Sequence, residues 1–71
     1  MSMQELTPGI VSDPNILNGK PVIAGTRIPV SFILANLEDM TISELAEDLG
    51  IEISQIKDAI NYARIIISEG S

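Results

Sequence analysis

The chain has 71 residues, enough for one domain near the lower size limit for independent folding. It holds no Cys and no His, which excludes disulfides, zinc sites of the usual kind and histidine acid–base chemistry; no metal or cofactor is expected. Its net charge of −6 is unevenly placed, because residues 1–29 sum to zero while residues 30–71 carry eight acids against Lys57 and Arg64.

A negative surface of this kind repels phosphate and favours basic partners, so the charge disfavours DNA. The composition is 45% hydrophobic, with thirteen isoleucines, one Phe, one Tyr and no Trp. A core of this size supplies only about 3–5 kcal/mol, and oligomerisation is the support left open; a homodimer is the expectation. No apolar run nears the ~20 residues that cross a bilayer, so no membrane contact is expected. Met1 to Thr7 carries Glu5 and no basic residue, unlike a signal peptide, and a cytoplasmic location is expected.

Met1 to Pro8 lacks periodicity and is expected to be disordered. Gly9 to Ser12 offers a short apolar strand, closed by the turn residues Asp13-Pro14-Asn15. Ile16 and Leu17 follow, then a second turn at Asn18-Gly19. From Gly19 to Val30, apolar residues stand on both sides of an Ala24-Gly25-Thr26 break, with proline at each end. This predicts a β-hairpin or arched β-segment in which Gly25 takes positive φ. Pro21 and Pro29 cannot donate to a ladder and belong at strand ends or on an edge. Arg27, after Thr26, is suited to fork onto a phosphate or carboxylate. The preferred reading is a structural tie to Asp13 or to a helix C-terminal carbonyl. Lys20 has no phosphate-loop spacing around it and is read as surface.

The segment Gly19-Lys20-Pro21-Val22-Ile23-Ala24-Gly25-Thr26-Arg27-Ile28-Pro29-Val30 resembles the GKPVI-GTRIPV signature of a small prokaryotic family, the domain-of-unknown-function family 433. The resemblance runs from about Ile10 to about Ile67. It implies a β-segment followed by a helix-turn-helix-like bundle. It also implies a non-enzymatic role as the antitoxin of a toxin–antitoxin pair.

From Ser31, a candidate N-cap after Pro29, the period becomes helical, with Phe32, Ile33, Leu37 and Met40 in a stripe that Leu34 widens. Thr41-Ile42-Ser43-Glu44 spells a capping box and opens a second helix, which stops at Gly50. The third helix is expected from about Ile53 to Ser68, with Ile53, Ile56, Ile60, Ala63 and Ile67 on one apolar face. Gly70-Ser71 reads as a tail. One domain is expected over 1–71, with the β-segment at 9–30 and a three-helix bundle at 31–69: an α+β fold, mainly α.

The second and third helices fit a helix-turn-helix (winged-helix or homeodomain-like) frame. Ala46 is the small residue that lets the helices approach, Gly50 tolerates the left-handed turn, and Ile56 is the aliphatic pin. Leu45, Leu49, Ile51 and Ala59 fill the other apolar places. On the third helix Ser54, Gln55, Lys57 and Asn61 have the chemistry to read base edges. Against that stand Glu44, Glu47, Asp48, Glu52 and Asp58 on the same two helices. Glu52 also takes the place of the threonine-type cap expected at that helix start. The competing reading is a packing corner with a solvated polar face. Glu44, Glu47 and Asp48 are read as an acidic face rather than a metal site. Ile65, Ile66 and Ile67 point around more than half a helix, so part of this run should leave the core as a dimer or partner surface. Tyr62 and Arg64 would form its rim.

The function expected is an interaction protein: the resemblance implies an antitoxin covering a basic PIN-like ribonuclease, with a helix-turn-helix that could also bind its own operator. A helix-turn-helix transcriptional regulator and a dimeric scaffold are the alternatives.

Overall fold

A computed structural model describes residues 3–70. Three strands, β1 (Gln4–Thr7), β2 (Ile10–Ser12) and β3 (Val22–Ile23), precede α1 (Val30–Asn36), α2 (Ile42–Leu49) and α3 (Ile53–Gly70). The fold is mainly helical α+β, as the sequence predicts. The sheet is antiparallel in the order β1-β2-β3.

The first strand corrects the expectation of disorder for residues 4–7; Met1 and Ser2 lie outside the described residues. Gln4 pairs with Ser12, Glu5 with Val11 and Thr7 with Ile10, the register shifting between Glu5 and Thr7. The strands turn through Pro8-Gly9, with Gly9 at φ +81, the pattern of a type II turn. Such a turn matches strand twist poorly, and the irregularity beside it absorbs the mismatch.

The expected 21–30 hairpin is smaller than the sequence suggests. β3 is two residues long, and its return limb contributes a single bridge, Val22 to Pro29. Pro29 has no amide hydrogen to extend that ladder. The turn itself is as expected: Thr26 N donates to Ile23 O (3.0 Å) over Gly25 at φ +78. Thr26 Oγ1 adds two bonds, donating to Ile23 O (2.7 Å) and accepting from Ile28 N (3.0 Å). Between β2 and β3, Leu17, Asn18 and Gly19 all have positive φ. Ser12 Oγ holds that turn through Gly19 O (2.6 Å).

Pairing of Ile10 with Ile23 and of Val11 with Val22 sorts the sheet by alternation. The isoleucines join Val30, Ile33, Leu45, Ala46, Ile56 and Ala59 in the core, and the valines are buried outside that cluster. Fully buried Ile and Leu side chains each contribute roughly 1.5–3 kcal/mol. α3 packs against every other element. Ala59, fully buried at its middle, has only a methyl group to hold its neighbours away.

α1 begins one residue before the expected Ser31 cap: Pro29 is the N-cap and supplies no side-chain bond. Ile33 is buried, whereas Phe32 and Leu34 are exposed, so the apolar stripe is narrower than its sequence. α2 is as read. Thr41 Oγ1 accepts from Glu44 N (3.1 Å), and Glu44 Oε1 accepts from Thr41 N (2.8 Å). Gly50 closes it at φ 70, its amide bonding Ala46 O and Glu47 O. Gly70 belongs to α3 rather than to a tail; Ser71 lies outside the described residues. The expected α3 face holds only at its centre. Ile56 is buried and Ile60 and Ala63 are half-buried, but Ile53 (44%) and Ile67 (71%) are exposed, because eighteen residues overreach the elements they pack on.

Candidate interaction surfaces

Two surfaces separate on this frame, one acidic and one apolar. Between Arg27 and Lys57 the chain has no basic residue but six acids: Glu38, Asp39, Glu44, Glu47, Asp48 and Glu52. All six are exposed. On α2 the division follows helical periodicity: Ile42, Leu45, Ala46 and Leu49 turn inward, leaving Glu44, Glu47 and Asp48 outside. No carboxylate of this set forms an ion pair among the described residues. The Glu44 carboxyl is held below its ordinary value by hydrogen bonds from the Thr41 backbone and hydroxyl. Asp58, the next acid along the chain, is half-buried and rests against Gly9.

The four candidate base readers on α3 do not act as a set. Ser54 and Lys57 are exposed. Gln55 Oε1 instead accepts from Glu52 N (2.8 Å), supplying half of a capping box at a helix start that lacks a hydroxyl cap. Asn61 Oδ1 accepts from Arg64 Nη2 (2.7 Å) on the same helix. These local bonds engage two of the four and were hidden from a reading that counted side-chain types.

The apolar surface is a groove of about 450 Å³ between the start of α1 and the second half of α3. Pro21, Pro29, Val30 and Leu34 form one wall, and Tyr62, Ala63, Ile66 and Ile67 the other. Lys20 is the one charged residue lining it. Of the expected partner surface, Ile66 and Tyr62 are therefore in the groove, while Ile65, Arg64, Glu44, Glu47 and Asp48 are not. The opposite wall escaped the sequence reading because it is assembled from two proline-flanked segments that meet only in three dimensions. The isoleucine run was the signal for its half.

Arg27 is exposed and makes no tie to Asp13, whose Oδ1 instead accepts from Asn15 N (2.8 Å) within its own turn. Gly25, Thr26 and Arg27 edge a shallow depression with Met3, Val11 and Ile16. Among the described residues, no helix is long and apolar enough to cross a membrane.

Residues 10–63 match the family described as "Protein of unknown function (DUF433)". The crystal structure of Rv2018 from Mycobacterium tuberculosis is similar, with a TM-score of 0.71 at 32% identity over 83% of this chain. The chain spans 30% of the length of that protein. No curated protein matches.

Proposed function

The chain belongs to the DUF433 family, and from that premise we propose that it is a small non-enzymatic interaction protein, the antitoxin of a toxin–antitoxin pair. The observation that carries this reading is the acidic stretch. Six exposed carboxylates with no interleaved base form a surface suited to cover a basic one. A ribonuclease toxin of the PIN-like kind must hold RNA and presents such a surface. Complementary charge speeds encounter and fixes orientation more than it adds raw affinity. The complex is therefore expected to form fast and to weaken with salt. Cytoplasmic location goes with this role.

The test is co-expression with the product of the adjacent gene, purification by a tag on this chain, and sizing of the eluate. A stoichiometric complex that dissociates at high salt supports the reading. Recovery of this chain without its neighbour overturns it.

A second reading, a helix-turn-helix regulator, is favoured by the tight Gly50 turn between α2 and α3 and by exposed Ser54 and Lys57. It is weakened by the acids around them and by the engagement of Gln55 and Asn61.

A further inference from the structure

We propose that the groove between α1 and α3 is filled by a second copy of this chain, packed about a two-fold axis with the last turns of the two α3 helices crossing. The argument starts from what the groove exposes. Leu34, Ile66 (45%) and Ile67 (71%) are large aliphatic side chains left in water on one contiguous patch. Single exposed apolar residues are ordinary, but an apolar concavity flanked by apolar projections marks a contact site. The same patch supplies both the cavity and the side chains that would enter it, which is the requirement of an isologous interface.

Charge selects this occupant over a foreign one. Each copy carries −6, so contact between two copies is least opposed by charge at a face from which the acids are absent. None of the eight acids of residues 30–71 lines the groove, and its one charge is Lys20. The segment that would enter from a second copy, Ile66 and Ile67, is followed two residues on by Glu69. Lys20 of one copy and Glu69 of the other are thus of opposite sign at the groove rim. Among the described residues they make no ion pair within one chain. The acidic face of α2 takes no part in the groove, so it stays open on both copies. This inference therefore stands apart from the antitoxin reading.

The test is sedimentation equilibrium on the full chain alone, over a concentration series extending to the millimolar range. The native chain is expected to dimerise. Ile67→Glu, at a position too exposed to matter for the fold, is expected to weaken the dimer by about a hundredfold with an unchanged circular-dichroism spectrum. Lys20→Glu is expected to weaken it by about tenfold, and Lys20→Glu with Glu69→Lys to restore it, because only a copy of the same chain carries both charges. A native chain that is monomeric throughout overturns the proposal and leaves the groove to a different protein. So does a dimer that survives Ile67→Glu, or a double reversal that gives no recovery.

Discussion

Gly9 lies directly beneath Asp58. A Cβ on Gly9 would stand 2.9 Å from Asp58 Cγ and 3.2 Å from Asp58 Cβ, and would overlap Asp58 Oδ2. The β1–β2 turn is thereby seated on α3, and a side chain at Gly9 requires Asp58 to move aside. Gly9→Ala meets that obstruction in addition to the strain of φ +81. A loss of about 2 kcal/mol or more in urea unfolding is expected. In an Asp58→Ala background the same change should cost only the strain, about 1 kcal/mol. Equal costs in both backgrounds would show that the contact does not limit the turn.

The α2 capping box gives a pH dependence whose sign follows from Glu44. Its carboxyl has a lowered pKa in the folded chain, so it contributes stability above the unfolded carboxylate value. That contribution is lost as pH falls through the lower folded value. Glu44→Gln keeps an oxygen for Thr41 N but has no charge to lose. Its melting temperature should therefore fall less steeply than the native one below about pH 5. Parallel acid limbs would remove Glu44 from the cause.

Thr26→Val keeps the shape of the side chain and deletes both hydroxyl bonds of the Gly25 turn. It should cost about 1–2 kcal/mol, a melting shift of roughly 4–16 °C for a domain of this size. Arg27→Ala, beside it and exposed, should stay within about 0.5 kcal/mol. The reverse order would return Arg27 to the structural role that the sequence assigns it.

Thr7 Oγ1 is enclosed and has no hydrogen-bond partner among the described residues. Replacing it by the equally branched Thr7→Val removes a desolvated hydroxyl without opening a cavity. Chemical denaturation should show a gain of about 1 kcal/mol. A loss instead would mean that the hydroxyl is satisfied in solution.

Gln55→Ala should lower thermal stability by removing half a helix cap, about 0.5–1 kcal/mol. Lys57→Ala should leave stability alone. In a DNA-shift assay, if the regulator reading holds, Lys57→Ala weakens binding to all sequences alike and reduces its salt dependence. A change of base preference caused by Gln55→Ala, with no change in melting, would place Gln55 on DNA rather than on Glu52.

The helical half was legible because its signals are local. Thr41 and Glu44 sit three residues apart, Gly50 readily takes the positive φ that stops the run, and Ile42, Leu45, Ala46 and Leu49 repeat at the helical period. The Gly25 turn was legible for the same reason. β1 was not, since Gln-Glu-Leu-Thr shows no alternation and becomes a strand only by pairing with β2. The Pro8-Gly9 pair was the one hint of its turn. The exposure of Phe32 and Ile53 was equally hidden. A sequence stripe states which residues share a face, while the length of the neighbouring elements decides how much of that face is covered.

The placement of β2 bears on how this protein should be handled. It is the central strand, three residues long, and β1 occupies its outer side. The family match begins at Ile10, within β2 and after β1 has ended. A chain trimmed to that span would leave the backbone amides and carbonyls of Ile10, Val11 and Ser12 without their outer neighbour. An uncovered apolar edge can recruit strands from other molecules, and β1 covers this one. Gln4–Thr7, outside the family match, thus cover the outer edge of β2, and an affinity tag is better added ahead of them than exchanged for them.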